Sequence, residues 1–204
     1  MKIKICGMRD ANNIKVIDAL NPDYLGFIFY EKSPRFVSEE IELPETNAEK
    51  VGVFVNQPMS FIIHMVQKYN LLNIQLHGDE SVETCNLLSD LGYDVIKAFQ
   101  IDDDTKVEEI MTYKESCKYF LFDTKTKNYG GSGKKFNWDK LNELDFIAEY
   151  FLSGGIGSND ANEFKNIKLK NLIGIDLNSK FELKPGLKNK SLLREFLVNI
   201  KNHQ

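Results

Sequence analysis

Residues 118–133 read KYFLFDTKTKNYGGSG, an apolar and aromatic run that stops at Asp123 and continues as a polar loop rich in glycine. In α/β enzymes an acid or base commonly lies at the carboxyl end of a buried strand, beneath such a loop. An aspartate that ends a strand also caps turns in many proteins. A second strand end favours the enzymatic interpretation, because Lys2–Cys6 is a short strand pattern that ends in a thiol and is followed directly by Gly7.

Short apolar runs alternate with longer amphipathic stretches along the whole chain. Eight runs predict strands, at residues 2–6, 24–29, 50–55, 73–77, 94–99, 118–123, 149–154 and 171–177. Helical patterns cover residues 10–20, 59–69, 81–91, 102–113, 137–147, 159–165 and 191–200. The segment after Ser38 is short, polar and interrupted by Pro44, so it predicts only a turn or two of helix.

Roughly eight strand-then-helix units with short connections predict an α/β fold, a single (β/α)8 TIM barrel that forms one domain over residues 1–204. A doubly wound open sheet uses the same alternation, and periodicity cannot separate the two. No GxGxxG follows the first strand, which disfavours a dinucleotide-binding sheet.

Composition limits the partners and the compartment. A net charge of −4 and a pI near 5.5 argue against a nucleic acid or an anionic membrane surface as partner. No apolar run is long enough to cross a bilayer, and the amino terminus lacks a signal-peptide pattern. The three cysteines, Cys6, Cys85 and Cys117, are widely spaced and indicate neither a disulfide framework nor a zinc site. We expect a cytoplasmic monomer without metal or cofactor.

The alternation of side chains along a strand predicts which way the side chains at the two strand ends point. Lys4 and Cys6 share one face of the first strand, with Ile3 and Ile5 on the other. If the isoleucines face the helices, the thiol points into the barrel mouth. A lone strand cysteine is usually an inert small hydrophobe, but a thiolate can act as a general base, and a cation such as Lys4 would lower its pKa. By the same alternation, the Asp123 carboxylate reaches the catalytic end of the barrel.

Six segments follow the order and spacing of one enzyme family. They are KICGMR (4–9), GFIFYEKSPRFVS (26–38), VGVFVN (51–56), IQLHGDE (74–80), FDTKTKNYGGSGKKFNW (122–138) and LSGGIGS (152–158). Together they resemble phosphoribosylanthranilate isomerase, over nearly the whole chain. The resemblance implies the third step of tryptophan biosynthesis from chorismate, an Amadori rearrangement of a small phosphorylated substrate that needs no metal or redox cofactor.

The resemblance also implies roles for individual residues. Cys6 matches the family's general base and Asp123 its general acid, and Arg35 matches the arginine that engages the anthranilate carboxylate. His77, which ends IQLHG, is placed either to hydrogen-bond substrate or to serve the structure. The phosphate is expected on the late loops, at Gly154, Gly155, Asp176, Asn178 and Ser179. The chain departs from the family pattern at Asn178-Ser179-Lys180 and at Asn189.

Other barrels remain as alternatives. The histidine-pathway isomerase family performs the same chemistry, but it resembles a twofold repeat, which is not found here, and it has an aspartate in place of Cys6. Metal-dependent pentose phosphate epimerases need histidine and carboxylate ligands at strand ends, where only His77 is available. A Schiff-base aldolase would use Lys97. A barrel that only binds a phosphorylated ligand would have no use for both Cys6 and Asp123.

Overall fold

Eight parallel strands close into a barrel in which each strand pairs with the next and the last pairs with the first. The structure, a computed structural model, describes residues 1–101, 105–124, 148–166 and 169–201. The strands are β1 (Lys2–Cys6), β2 (Tyr24–Ile28), β3 (Glu49–Phe54), β4 (Asn73–Leu76), β5 (Asp94–Ile101), β6 (Tyr119–Thr124), β7 (Tyr150–Leu152) and β8 (Leu172–Leu177). All eight predicted strands are confirmed, and the closure excludes the open sheet.

Helices follow most of the strands on the outside of the barrel. The described α-helices are α1 (Ala11–Asp18), α2 (Met59–Lys68), α3 (Val82–Asp90), α4 (Val107–Met111), α5 (Ala161–Asn166) and α6 (Lys190–Lys201). None of these is long and apolar enough to cross a membrane. The pattern over 102–113 forms only the short α4, followed by a 3-10 turn at Lys114–Ser116. The predicted helix 137–147 and the glycine-rich part of the polar loop after Asp123, residues 130–133, lie outside the described residues.

Side-chain caps fix where several helices begin. The Asp10 carboxylate accepts a hydrogen bond from the Asn13 amide (2.7 Å) at the start of α1, and Ser81 does the same for the Thr84 amide at α3. Pro58 precedes the first turn of α2, where a missing N–H costs nothing. After Ser38 no helix forms before β3, so the turn or two of helix predicted there is absent.

The alternation predicted for β1 is confirmed. Ile3 and Ile5 pack into the larger apolar cluster, which lies between the strands and the helices. Cys6 belongs to a second cluster inside the barrel, together with residues such as Leu121 and Phe151. This inner layer is mostly apolar, but polar contacts lie near the amino ends of the strands, where Lys2 donates to the Tyr24 hydroxyl and Asn73 donates to Glu49. The cavity lies at the opposite, carboxyl end of the strands, as in other barrels of this type.

A small antiparallel hairpin, absent from the predicted elements, follows β8. It consists of β9 (Glu182–Lys184) and β10 (Leu187–Lys188), joined through Pro185 and Gly186. Strands of two or three residues are too short to show a period of two, which explains why the sequence pattern does not reveal them. The hairpin brings Glu182 and Lys188 to the edge of the barrel mouth.

Candidate active site

One cavity opens at the carboxyl end of the barrel, with a volume of about 940 Å³ including its mouth. All nine residues proposed from the sequence line it: Cys6, Arg35, His77, Asp123, Gly154, Gly155, Asp176, Asn178 and Ser179. Sequence reasoning missed other lining residues, among them Tyr30, Pro34 and Gln75. The lining combines apolar side chains with charged and polar ones, which suits a substrate that carries both an aromatic ring and a phosphorylated sugar.

Glycines leave the space in which Cys6 lies. The chain turns at Gly7 with a φ of +77°, and the Gly7 and Met8 amides both donate to the Gly26 carbonyl at 3.0 Å. A methyl group at Gly7 would lie 2.5 Å from Cδ of Arg35, so a larger residue here would displace that side chain. A methyl group at Gly26, on the neighbouring strand, would lie 2.8 Å from the Cys6 sulfur. Both glycines therefore shape the surroundings of the thiol.

A buried ion pair lies beneath the thiol. The Lys4 ammonium, which is fully buried, donates to Oδ1 of Asp176 at 2.9 Å. Burial alone lowers the pKa of Lys4, but the Asp176 carboxylate and Cys6 outweigh it and raise that pKa. Burial also raises the pKa of the Cys6 thiol, and the ammonium groups of Lys4 and Lys188 oppose this without cancelling it. The expected cation is thus present at Lys4, yet the pKa of the Cys6 thiol stays above its ordinary value.

Asp123 and His77 meet on the opposite side of the cavity. The imidazole Nε2 of His77 lies 3.6 Å from Oδ2 of Asp123, and both side chains are mostly buried. The other ring nitrogen, Nδ1, lies 2.7 Å from Nε2 of the Gln75 amide. The carboxylate at the end of β6 is therefore one member of a chain of polar contacts that continues into β4.

Arg35 is held by an acid rather than left free in its loop. Its Nε lies 2.9 and 3.1 Å from the two carboxylate oxygens of Glu182, and its Nη2 lies 2.6 Å from Oε2. Lys188, fully buried, donates to the same carboxylate (2.8 Å) and to Oδ1 of Asn178 (2.7 Å). Burial would raise the pKa of Glu182, but the two cations lower it. Nη1 of Arg35 is not engaged by this acid.

The loop after β7 contains two glycines, Gly154 and Gly155, that line the cavity. Gly154 and Gly155 adopt φ angles of +89° and +71°, in the region that glycine tolerates best. Within the described ranges, neither backbone amide has a hydrogen-bond acceptor in the protein. The next glycine amide, at Gly157, is already used, because it donates to Asp160 at 2.7 Å. The loop after β8 approaches here, since a methyl group at Gly157 would lie 3.7 Å from Cβ of Lys180.

Two residues that the sequence analysis associates with the eighth loop have structural partners. Asp176, expected among the phosphate-binding residues, lies inside β8, within the predicted strand 171–177, and is paired with Lys4. Asn189 departs from the family pattern near the expected phosphate site, but its Oδ1 accepts from the Leu192 amide at 3.1 Å and caps α6. Asparagine caps a helix about as well as aspartate, so this change is structurally neutral.

Lys97 has no access to the cavity. It lies on β5 between Ile96 and Ala98, whose side chains face the barrel interior, so its own side chain points to the helices. Its ammonium donates to the Glu80 carboxylate at 3.1 Å and to the Gly78 carbonyl at 2.7 Å. A Schiff-base aldolase built on Lys97 is therefore inconsistent with the structure. Within the described part of the chain, no group of three or more His, Cys, Asp or Glu side chains is arranged to hold a metal ion.

Comparison with known proteins agrees with this geometry. A family model described as N-(5'-phosphoribosyl)anthranilate (PRA) isomerase matches residues 3–199. The N-(5'-phosphoribosyl)anthranilate isomerase of Parabacteroides distasonis is 41% identical over an alignment of 206 residues, which covers 98% of this chain and 93% of the relative. That of Phocaeicola vulgatus is 39% identical over 201 residues, 98% of each chain.

Solved structures give the same result. The crystal structure of phosphoribosyl anthranilate isomerase from Thermotoga maritima superposes with a TM-score of 0.87 at 32% identity, over 99% of both chains. Another structure of that enzyme describes it as dimeric, with a TM-score of 0.83, 29% identity and 99% of both chains covered. A third holds reduced 1-(O-carboxyphenylamino)-1-deoxyribulose 5-phosphate, with a TM-score of 0.83, 27% identity and 99% of both chains covered. The chain thus belongs to the N-(5'-phosphoribosyl)anthranilate isomerase family.

Proposed function

We propose that this chain converts N-(5'-phosphoribosyl)anthranilate to 1-(2-carboxyphenylamino)-1-deoxyribulose 5-phosphate, with Asp123 as general acid and Cys6 as general base. The observation that carries the assignment is the position of these two groups at the ends of β6 and β1, facing one cavity. An aldose-to-ketose rearrangement needs a proton delivered to one atom and removed from another. Two groups of different acidity on different walls of one site can serve both needs.

The steps follow from the substrate's chemistry. The Asp123 carboxyl group protonates the furanose ring oxygen, the C1–O bond breaks, and the nitrogen lone pair forms a C=N bond to C1. The Cys6 thiolate then removes the proton from C2, and the electron pair of that C–H bond forms the C1=C2 bond of an enolamine. Loss of the proton from the C2 hydroxyl and protonation of C1 give the ketose. The sequence is an isomerisation in which no atoms are gained or lost.

Arg35 is assigned to the anthranilate carboxylate. Glu182 orients the guanidinium through Nε and Nη2, so that the remaining N–H groups face the cavity. A planar guanidinium fixed on one side can bind a planar carboxylate with two parallel hydrogen bonds on the other. The apolar walls near it, including Ile28 and Pro34, provide a surface for the aromatic ring of anthranilate.

Phosphate binding is assigned to the amides of Gly154 and Gly155 together with Ser179, which begins the 3-10 turn after β8. These amides have no acceptor among the described residues, and a phosphate dianion would supply one. Asp176 is not assigned to the phosphate, because a carboxylate would repel it. Asn178 is assigned a supporting role, since its side-chain oxygen is already bound by Lys188.

We further propose that the chain works as a single-domain monomer in the cytoplasm. The described residues include every group assigned to the site, so no partner subunit is needed to complete it. Light scattering should give one species near 23.5 kDa. A dimer, as described for the Thermotoga maritima relative, would refute the proposed monomeric state but would not bear on the proposed reaction.

The reaction is tested by the loss of substrate fluorescence, with the substrate made in place from anthranilate and phosphoribosyl pyrophosphate. Cys6→Ala and Asp123→Asn should each lower kcat by about 100-fold or more, the contribution typical of a general acid or base. Cys85→Ala serves as the matched control, because Cys85 is a buried thiol that does not line the cavity. It should keep the wild-type rate.

The affinity for a product analogue separates a loss of catalysis from a loss of substrate binding. Reduced 1-(O-carboxyphenylamino)-1-deoxyribulose 5-phosphate cannot react, and its affinity for Cys6→Ala should stay within about threefold of wild type, as expected when only transition-state interactions are lost. If a folded wild type bound this compound but did not consume the substrate, the proposed reaction would be refuted and the chain would be a binding protein. Near-normal kcat in either variant would refute the assigned acid or base.

A further inference from the structure

Gln75 is a buried amide in an otherwise apolar part of the barrel. It is 1% exposed, and in the sheet register it lies between Val53 and Ile96, which both face the interior. Its Nε2 contacts Nδ1 of His77, whereas its Oε1 has no hydrogen-bond partner among the described residues. An unsatisfied buried carbonyl costs about 1–3 kcal/mol. Asn73 has an unsatisfied buried carbonyl of the same kind, so the feature that distinguishes Gln75 is its contact with His77 in the lining of the cavity.

The contact on the far side of the imidazole determines which hydrogen atoms the ring carries. Nε2 of His77 faces Oδ2 of Asp123 at 3.6 Å. Once Asp123 has given up its proton as the general acid, a lone pair on Nε2 would be repelled by the carboxylate that remains. Nε2 therefore carries a hydrogen, and in the neutral ring Nδ1 is then an acceptor. The Gln75 N–H group, 2.7 Å away, supplies the matching donor. A second proton on Nδ1 would put two donors face to face.

We propose that Gln75 is a positioning residue that holds His77 in the neutral Nε2–H form, directed at Asp123. The inference rests on the proposed function, since it concerns the group that presents the general acid. An imidazolium beside Asp123 would favour the carboxylate and make the group a poorer proton donor. A neutral ring orients the same carboxyl group without that penalty. A separation of 3.6 Å is longer than a hydrogen bond, and catalytic contacts of this kind often tighten when substrate binds.

Other charges near the ring belong to a defined set. The titratable groups in the described lining of the cavity, apart from His77 itself, are Cys6, Tyr30, Arg35, Asp123 and Asp176. Asp176 is itself paired with the Lys4 ammonium, which offsets part of its charge. The carboxylates of Asp123 and Asp176 both favour a charged imidazole. The donor from Gln75 works against that charge, which is why its removal should have a measurable effect on ring protonation.

The test is ring-¹⁵N NMR of protein labelled at histidine, because the ¹⁵N shift separates a protonated from an unprotonated ring nitrogen. The chain has three histidines, and the loss of signals in His77→Asn assigns those of His77. The free wild type at neutral pH should show Nε2 protonated and Nδ1 unprotonated. A proton on Nδ1 of the wild type, in either the other tautomer or the imidazolium, would overturn the inference.

Gln75→Met removes the donor while keeping the side-chain volume. Nδ1 of His77 should become protonated at pH values at which it is unprotonated in wild type. We expect kcat to fall about 10- to 100-fold, as for other groups that orient a functional histidine, and KM to change less than about twofold, since Gln75 is not assigned to binding. The pH profile of kcat should change with the ring protonation. Unchanged ring protonation and unchanged kcat would overturn the proposal.

Asn73→Leu is the matched control. Asn73 is a second buried amide on the same face of β4, two residues earlier, and it donates to Glu49 at 2.9 Å rather than to His77. Its replacement should lower stability but leave the His77 spectrum and kcat unchanged. If it changed both as Gln75→Met does, a general disturbance of β4 would explain the data and the proposal would fail. Ring protonation is read without substrate, so an inactive wild type would refute the proposed function by a separate measurement.

Discussion

Gly26→Ala tests the assigned base, because the added methyl group crowds the Cys6 thiol while the thiol itself is unchanged. The added methyl group would lie 2.8 Å from the Cys6 sulfur and 3.1 Å from the Cys6 Cα. Favourable contacts between heavy atoms of this kind lie at about 3.5–4.0 Å. Relief therefore needs a displacement of about 1 Å, and the nearby backbone of β1 prevents the thiol from moving independently of its strand.

The expected loss follows from that displacement. A reacting group that is misplaced by about 1 Å can lose about 100-fold in rate, which corresponds to roughly 3 kcal/mol of transition-state stabilisation. Overpacking should also lower the free energy of unfolding by about 1–3 kcal/mol. Gly26→Ala should therefore fold, bind the reduced product analogue nearly as tightly as wild type, and turn over about 100 times more slowly.

Substrate fluorescence decay gives kcat, and urea denaturation gives the stability of each variant. Gly52→Ala is the control, because its methyl group would lie 2.8 Å from Phe54 and 2.9 Å from Leu71, two apolar side chains away from the cavity. It should lose stability but keep kcat. If a folded Gly26→Ala kept kcat within about threefold, or if Gly52→Ala lost as much, the link between thiol position and rate would be refuted.

Three further predictions concern charge. Burial raises the pKa of Cys6, so the thiolate base forms only as pH rises. The rising limb of the pH profile of kcat/KM should therefore lie above the pH range in which an ordinary thiol ionises. Lys188→Met removes a cation that opposes this shift and should move the limb to still higher pH. Lys180→Ala should raise KM by about threefold, and high salt should abolish the difference, as for an exposed cation near a phosphate. Glu182→Gln should raise KM about tenfold with a smaller change in kcat, because Arg35 loses its orienting partner. Steady-state kinetics across pH and salt measure all three.

The sequence predicts those parts of the molecule that depend on local patterns. The eight strands follow from short apolar runs, and the direction of Cys6 follows from alternation along β1. Partners far apart in the chain leave no such signal. Arg35 and Glu182 are separated by 147 residues, and only the closed barrel brings them together. Gln75 is detectable in principle, because alternation places it on the same face as His77, two residues later.

Departures from a family pattern are harder to interpret than matches. Asn189 differs from the aspartate usual at that position, and the sequence offers no way to separate a ligand from a helix cap. In the structure its side chain caps α6. Lys180 has no such structural explanation, because it is exposed at the point where the loops after β7 and β8 meet. A departure from the family pattern can therefore be structural or not, and the helix, strand or loop in which the residue lies decides which.

The ion pair between Lys4 and Asp176 joins the first and last strands of the barrel, across a separation of 172 residues. During synthesis, the lysine leaves the ribosome long before its counter-ion does, and the intervening chain must fold without it. Closing so large a loop carries a high entropic cost before any contact repays it. The seam between β1 and β8 should therefore form late, so that a nascent chain keeps an open edge with an unpaired lysine until its last strand arrives.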